Sequence, residues 1–372
     1  MILHKFRWPH YQNALFFLGL LICFFAGCSN PQNVSQPQGK RVVEDALGRK
    51  VMVTDSIQSL ATMHAGALRL VCYFEEAGKV AYIERNEITR NVPYLFANPH
   101  LKRLPIAGAG NVYNMELLAK SEVDVIIATY MSTPDADKIQ HQTGKPVFVL
   151  EYGDLVSQKF QFYKSVRALG NLLNKTSRAD SLISFIEKQI ETFNTLSAKA
   201  ASAKTHTAYL GGVAYNGIQA LESTRVEYPP FVFLNIHSPV EAVVHAGNEI
   251  GRGQKNTLVS LEQVLVWNPE YLFLDVSGKN LWQEQLHKPE IGQQLAAVIT
   301  GKAWSVLPFN WHTINYENLI INSWFIGKTV YPQAFENIDI AEKMRETYSF
   351  FLGNDISRQM DSLYHPFQKI GP

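Results

Sequence analysis

The sequence is poor in cysteine, and its body lacks the pair that a disulfide needs. Three cysteines occur in 372 residues, at Cys23, Cys28 and Cys72. The first two lie in, or shortly after, an N-terminal apolar run, so Cys72 is the only cysteine in the rest of the chain. The body can therefore hold neither an intrachain disulfide nor a cysteine-based metal site.

The sequence also lacks an excess of charge of one sign. Lysine and arginine number 34 and aspartate and glutamate 33, a formal net charge of +1. Without an excess of basic residues, neither nucleic acid nor an anionic membrane surface is an expected partner. The motifs G-x-S-x-G, P-loop, paired C-x-x-C and H-E-x-x-H are missing as well. We expect no enzyme, and a hydrolase stays as a less favoured alternative.

No hydrophobic run is long enough for a permanent membrane span. The longest N-terminal run covers residues 14–25, whereas a spanning helix needs about 20 apolar residues. Lys5 and Arg7 precede this run, and the small pair Ala26-Gly27 follows it. A basic start, a short apolar segment and small residues before a cleavage point predict a secretory signal peptide over residues 1–27.

The residues around the predicted cleavage point indicate how the mature protein is anchored to a membrane. Phe25-Ala26-Gly27-Cys28 resembles the bacterial lipobox, in which the cysteine becomes a lipidated N-terminus, although leucine is usual where Phe25 stands. An ordinary cleavage site with a chance cysteine is the alternative. Residues 28–40 are rich in Ser, Asn, Pro and Gln and predict a flexible tether. We expect a lipoprotein on the periplasmic or extracytoplasmic face of a membrane.

The remaining chain is too long for one hydrophobic core, so two lobes are expected. Short β-branched runs alternate with helical stretches on both sides of a strand-free segment, which predicts α/β layers. We predict an N-terminal α/β lobe over residues 41–175, a connecting helix over 176–203 and a C-terminal α/β lobe over 204–372. The fold class is thus two Rossmann-like α/β lobes joined by one long rigid helix. One face of that helix carries Leu182, Ile186, Ile190, Phe193 and Leu196.

Individual elements follow from the same patterns. The predicted strands are residues 59–62, 80–83, 123–129, 146–150, 206–213, 240–246 and 271–275. The predicted helices are residues 65–76, 114–121, 135–142, 260–267, 291–299, 318–330 and 338–352.

Several segments resemble one family in their order along the chain. They are 45–49 (DALGR), 67–70 (ALRL), 114–116 (NME), 143–147 (TGKPV), 222–231 (ESTRVEYPPF), 260–269 (SLEQVLVWNP) and 307–316 (LPFNWHTINY). This series is similar to the periplasmic binding proteins with a rigid helical backbone that serve importers of ferric siderophores, haem and vitamin B12. The resemblance implies the substrate-binding component of an ABC importer, working with a permease dimer and its ATPase.

Proteins of this architecture hold ligand between the lobes, in contact with loops at the carboxyl ends of parallel strands. That rule predicts ligand-binding residues on both sides of the cleft. On the first lobe they are Met63, His64, Gly108, Gly110, Asn111 and Tyr130. On the second lobe they are Glu222, Arg225, Tyr228, Asn310, Trp311, His312 and Tyr316.

Three of these residues suggest the ligand's chemistry. Trp311 and Tyr316 would stack on a flat catecholate, porphyrin or corrin surface, unless they are ordinary packing aromatics. Arg225 would clamp a carboxylate or an anionic chelate, unless it pairs with Glu222 or Glu227. We expect an iron–siderophore, haem or corrinoid compound as the ligand and no resident cofactor.

Histidines could contact the metal of such a ligand. His64 and His312 could ligate iron or cobalt directly, but no pair of histidines has metal-ligand spacing in the sequence. We therefore expect no site for a bare metal ion. Gly108-Ala109-Gly110 lacks the third glycine of a dinucleotide fingerprint and predicts a turn at the cleft.

Two acids are candidates for permease docking. The resemblance assigns that role to Glu116 and Glu262, one in each lobe. Each would meet an arginine pocket on one permease subunit and so orient the protein on the permease. The alternative is that both complement a helix dipole from the first turn. We expect a monomer, and a lipid-anchored adhesin or scaffold without ligand remains the rival binding class.

Overall fold

The computed structural model describes residues 39–245 and 255–371, which belong to one compact unit. The predicted signal peptide, Cys28 and all but the last two residues of the tether lie outside the described residues. Among the residues described, no helix combines the length and apolarity needed to cross a bilayer.

Strands and helices alternate along most of the chain. The strands are β1 Lys40–Glu44, β2 Lys50–Thr54, β3 Leu60–Met63, β4 Val80–Glu84, β5 Ile106–Ala109, β6 Val112–Tyr113, β7 Val125–Thr129, β8 Val147–Leu150, β9 Ala208–Gly211, β10 Ser223–Arg225, β11 Asn256–Leu258, β12 Tyr271–Asp275, β13 Ala303–Val306 and β14 Lys369–Ile370. The helices are α1 Ala67–Tyr73, α2 Arg85–Thr89, α3 Pro93–Ala97, α4 Met115–Lys120, α5 Thr133–Thr143, α6 Lys159–Leu172, α7 Thr176–Ala203, α8 Pro229–Phe233, α9 Val240–His245, α10 Leu261–Trp267, α11 Lys279–Leu286, α12 Pro289–Gly292, α13 Ala296–Ile299, α14 Tyr316–Val330, α15 Ile340–Leu352 and α16 Ser357–Tyr364.

Two mostly parallel sheets form the cores of the two lobes. The first has six strands in the order β6-β5-β4-β3-β7-β8, with β6 antiparallel to β5. The second has four strands in the order β14-β13-β12-β9, with β14 antiparallel to β13. Every residue of β7 and of β12 is buried, as expected where helices cover both faces of a parallel sheet. The prediction of two α/β lobes is confirmed.

One 28-residue helix, α7, connects the two lobes. It packs against α6 on the side of the first lobe and against α8 and α14 of the second. Leu182, Ile186 and Phe193 are buried on its packed face. The helix follows a break at Asn174, whose φ of 56° ends α6. The lobe boundaries in sequence stay a prediction, because α15 packs against α1 of the first lobe.

Two element predictions are wrong. Residues 240–245 form the helix α9 rather than a strand, and Ala246 lies outside the described residues. Ser238 and Pro239 precede this helix and are helix-start signals, whereas the β-branched valines within it favour a strand. The predicted helix at 291–299 is two short helices, α12 and α13, separated by residues 293–295.

Candidate functional site

A cleft of about 410 Å³ lies between loops of the two lobes. These loops follow β3, β4, β5 and β7 on the first lobe and β9 and β13 on the second, as expected at the carboxyl ends of parallel strands. The lining residues are His64, Ala65, Glu84, Asn86, Arg90, Gly110, Asn111 and Tyr130 from the first lobe, and Ala214, Tyr215, Asn216, Gly217, Asn310, His312 and Thr313 from the second.

Left-handed backbone conformations concentrate at this cleft. His64, Tyr130, Asn216, His312 and Thr313 have φ values of 67°, 49°, 52°, 53° and 67°. Such conformations cost free energy in residues other than glycine and persist where the surrounding structure holds them. The Tyr130 hydroxyl is hydrogen-bonded to Thr313 Oγ1 across the lobes. This hydrogen bond thus links strained loops of the two lobes. Backbone strain of this kind clusters at functional sites.

A buried carboxylate organises the first-lobe wall. Glu84 accepts hydrogen bonds from Asn86 Nδ2 at 2.8 Å, from the Gly110 N–H at 2.8 Å and from the Tyr113 hydroxyl at 3.0 Å. The Tyr113 oxygen in turn accepts from the His64 N–H at 2.6 Å. Burial, with the nearby Glu84 charge, raises the pKa of Tyr113 and keeps it a donor. Glu84 therefore holds two loops of the cleft in position.

His64 has a defined tautomer. Its Nδ1 lies 2.7 Å from the Thr129 carbonyl oxygen, which can only accept a hydrogen bond. Nδ1 therefore carries a proton, and in the neutral ring Nε2 keeps the lone pair. A neutral His64 can thus accept a hydrogen bond from a ligand or donate its lone pair to a metal centre through Nε2.

The second-lobe wall carries a buried histidine. His312 is 7% exposed, and its Nε2 lies 3.3 Å from Glu87 Oε1 without the geometry of a hydrogen bond. The other Glu87 oxygen accepts from the Tyr94 hydroxyl. Because His312 Nε2 is itself buried, its nearest polar partner is the Glu87 carboxylate of α2 rather than a group in the cleft.

Trp311 lies beside the cleft and is half-buried, but it is not among the residues that line it. The Arg90 guanidinium carbon stands 5.2 Å from the centre of its ring, and the indole N–H donates to the Arg90 carbonyl. Arg90 itself lines the cleft. Arg90 therefore brings a positive charge to the cleft wall, and the sequence analysis did not identify it.

Tyr228 and Tyr316, which the sequence predicted at the cleft, do not line it. Both side chains are fully buried, whereas a cleft residue needs an accessible surface. The Tyr316 hydroxyl donates to the Gly153 carbonyl at 2.6 Å, and its ring stacks on Phe162 with centroids 4.0 Å apart. The Tyr228 oxygen accepts from Asn322 Nδ2 at 3.2 Å. These aromatics pack the interior, which is the alternative considered for Tyr316.

Arg225 and Glu222 do not line the cleft either. Arg225 is buried and pairs with Asp154 at 3.2 Å rather than with Glu222 or Glu227. Burial acts to raise the pKa of Asp154. The hydrogen bond from the Gln158 N–H and the charge of the Lys255 ammonium outweigh this effect and hold the pKa below its usual value. Glu222 accepts hydrogen bonds from Gln285 Nε2. Arg225 therefore joins the two lobes through Asp154, and its side chain is not exposed to the cleft.

Of the remaining residues that the sequence predicted at the cleft, some line it and others do not. Met63 is fully buried and does not line the cleft. A Cβ at Gly108 would meet the Val112 carbonyl oxygen at 2.4 Å, so this glycine permits the close pairing of β5 with β6. Gly110, at φ 57°, lines the cleft, as do Asn111 and Asn310; Asn310 Nδ2 donates to the Ala214 carbonyl at 2.8 Å.

Sequence reasoning missed the role of Arg69. This arginine of α1 is fully buried, and it donates to the Ile314 carbonyl at 2.6 Å, to Asn315 Oδ1 at 2.8 Å and to the Trp311 carbonyl at 3.3 Å. It thereby holds the second-lobe loop that contributes His312 and Thr313. The available signal was a charge inside the apolar run LRLV, since a buried charge requires partners.

Asp275, at the end of β12, was also missed. Its carboxylate accepts from the Phe309 N–H at 2.8 Å and from the Ser277 N–H at 2.8 Å. Burial raises the pKa of Asp275 to about 6, although these hydrogen bonds oppose the rise. Asp275 thus anchors the loop between β13 and α14 at the base of the cleft.

A pH dependence of stability follows from Asp275. Because its folded pKa lies above the ordinary value, the native state binds the extra proton between about pH 4 and pH 6, and stability falls as pH rises through that window. We expect the wild type to lose about 2 kcal/mol relative to Asp275→Asn between pH 4 and pH 7. Urea unfolding of both proteins across this range measures the difference, and a difference that does not change with pH would contradict the prediction.

The two predicted docking acids occupy equivalent positions. Glu116 and Glu262 are exposed in the first turns of α4 and α10, after the N-caps Asn114 and Ser260. Glu116 forms an ion pair with Lys120 at 2.6 Å. Both acids therefore complement a helix N-terminus, a role that is compatible with docking.

Within the part of the chain that the structure describes, no three histidine, cysteine, aspartate or glutamate side chains converge to hold a metal ion.

Comparisons with known proteins give one family and one fold. A family model described as periplasmic binding protein matches residues 85–305. The molybdate periplasmic binding protein MolA of Haemophilus influenzae has 17% sequence identity and a TM-score of 0.67, over 85% of this chain and 98% of MolA. No curated protein sequence matches the chain.

Two further solved structures are similar. A periplasmic solute-binding protein of Veillonella parvula has 18% identity and a TM-score of 0.67, over 88% of this chain and 98% of its own. The petrobactin-binding protein YclQ of Bacillus subtilis has 14% identity and a TM-score of 0.57, over 80% and 99%. At these identities the likeness shows the fold.

Proposed function

Since the chain belongs to the periplasmic binding protein family, we propose that it captures a metal chelate in the interlobe cleft and delivers it to an ABC permease. The chelate would be an iron–siderophore, haem or corrinoid compound. The protein would act by binding alone, without turnover. Its partners would be a permease dimer with its ATPase, and it would act as a monomer.

The observation that carries this proposal is the composition of the cleft. About 410 Å³ is within the usual range for a small-molecule site of about 300–1,000 Å³ and far exceeds the space that a bare ion needs. Its walls offer a cation at Arg90, imidazoles at His64 and His312, and amides at Asn111 and Asn216. Such a set suits the oxygens of an anionic chelate. One structurally similar protein binds petrobactin.

Contacts between the lobes support a limited closing motion. Arg69 holds the loop of residues 311–315, Tyr316 donates to Gly153, and Arg225 pairs with Asp154. Together with the helix α7, these contacts would keep the cleft preformed, which reduces the ordering cost of binding.

Delivery would use Glu116 and Glu262, each exposed on its own lobe. Charges at a set separation on rigid lobes give orientation and steering. The proposed lipid at Cys28 would keep the protein at the extracytoplasmic face of the membrane, close to the permease.

Titration with chelates tests the proposal. Ferric siderophores, haem and cobalamin absorb light, so a bound chelate is expected to quench tryptophan fluorescence saturably, because Trp311 lies beside the cleft. Trp311→Phe should reduce the amplitude of quenching and change the Kd by less than about tenfold. Trp324→Phe, at a buried indole of α14 that donates to Gln189 of the connecting helix α7, serves as the control that keeps the wild-type amplitude change. If the folded protein responds to none of these compounds, the lipid-anchored scaffold becomes the better interpretation.

A further inference from the structure

A second cavity of about 370 Å³ opens beside the cleft on the first lobe. We refer to it as the side pocket. His64, Asn111 and Tyr130 line both cavities. Because they share these walls, a molecule in the cleft can extend into the side pocket without leaving the protein surface.

Apolar side chains form the interior of the side pocket. Met115 begins α4, Met131 follows β7, and Ile139 faces the pocket from α5. The fully buried Met63 lies at its base. Thioether side chains are flexible and polarisable, so they adapt to apolar groups of different shapes. The interior therefore favours hydrocarbon or aromatic groups over charged ones.

The charged and amide side chains that α5 contributes to the pocket lie at its solvent-exposed rim. Asp135, Lys138 and Gln142 are exposed and share one face of α5 with Ile139, at the spacing i, i+3, i+4, i+7. The Tyr130 ring, 60% exposed, stacks on Tyr152 with centroids 5.8 Å apart. Tyr130 thus stands as a fixed aromatic wall between the polar cleft and the apolar side pocket.

We propose that the side pocket holds an apolar arm of the ligand whose polar, metal-bearing part occupies the cleft. This inference rests on the proposed function and specifies the ligand as an amphiphilic chelate. A volume of about 370 Å³ is itself within the usual range of small-molecule pockets, so an acyl or aryl arm fits. The polar rim would contact water and the linkage between arm and chelate.

The test compares two ferric chelates, ferric acetohydroxamate and ferric hexanohydroxamate, which share the iron-binding group and differ in acyl chain length. Burial of extra methylene groups is expected to make the wild type bind the hexanohydroxamate chelate at least about tenfold more tightly in calorimetry. Met115→Trp should fill the pocket, reduce that ratio to about twofold or less, and leave the affinity for the acetohydroxamate chelate unchanged.

The chain offers a matched control. Leu261 holds the position in α10 that Met115 holds in α4, directly after the N-cap and before the exposed acid. Leu261→Trp should therefore keep the wild-type ratio. Equal affinities of the wild type for the two chelates, or the same loss of ratio in both variants, would overturn the inference.

Methionine methyl NMR of the wild type gives a readout that does not depend on variants. The Met115 and Met131 methyl signals should shift with the hexanohydroxamate chelate and not with the acetohydroxamate chelate. Met52, Met344 and Met360 lie outside both cavities and should not move. Binding of both chelates without a shift at Met115 would overturn only this inference. Binding of neither hydroxamate chelate by a protein that still binds a ferric siderophore, haem or cobalamin would overturn this inference alone. Failure to bind any of these compounds would overturn the proposed function as well.

Discussion

Arg69→Met is expected to lower the free energy of unfolding by about 3–5 kcal/mol. The substitution keeps much of the side-chain volume but removes the donors to Ile314 and Asn315, and it leaves the buried Glu317 without a nearby cation. Burial already raises the pKa of Glu317, and the Arg69 charge opposes that rise. Urea unfolding at pH 7, followed by circular dichroism, measures the loss.

The control is an ion pair near the surface. Lys159→Met removes the partner of Glu187, a pair in which both side chains are more than a third exposed, and should cost about 1 kcal/mol or less. The double variant Arg69→Met/Glu317→Gln should recover part of the loss, since it removes the unpaired carboxylate. An Arg69→Met protein that is no less stable than Lys159→Met would show that this buried arginine does not hold the lobes together.

Reversal of both docking charges, Glu116→Lys with Glu262→Lys, is expected to reduce chelate uptake by at least about a hundredfold. Like charges would face each other where the resemblance predicts arginine pockets on the permease. Neither acid lines the cleft, so the Kd for the chelate should change by less than about twofold. Uptake of radioactive iron by cells or proteoliposomes, together with chelate titration of the purified variant, separates delivery from capture.

Glu342 provides the matched control for the helix-dipole alternative. It is an exposed acid in the first turn of α15, after the N-cap Asp339, and so shares the local setting of the docking acids. Glu342→Lys should cost the same helix-terminus stabilisation but leave uptake unchanged. Equal losses of uptake in Glu342→Lys and the double reversal would favour the helix-dipole role over docking.

Local periodicity predicted most of the secondary structure. The 28-residue connector was recognised because its apolar residues recur at helical spacing, and the buried strands β7 and β12 because they are short apolar runs between turn signals. The segment 240–245 failed because β-branched residues favour a strand while Ser238 and Pro239 favour a helix start. Propensity alone could not decide between these signals.

The cleft was predicted only in part. The rule that ligands contact loops at the carboxyl ends of parallel strands found His64, Gly110, Asn111, Tyr130, Asn310 and His312, all of which line it. The same rule misplaced Tyr316, which is a loop-end residue by sequence but directs its hydroxyl to Gly153 in the interior. It also missed Glu84 and Arg90, whose roles depend on neighbours brought in by other strands.

The amino-acid sequence by itself determined the alternation of strands and helices, the long connecting helix and the loops that meet between the lobes. These features depend on residues that are close along the chain, where apolar spacing and helix caps act. Only the tertiary structure decided which charges are paired. Arg69 meets the loop of residues 311–315, and Arg225 meets Asp154, across the interlobe contact. Such a pair forms only once both lobes have folded, and burial then makes each charge depend on its partner.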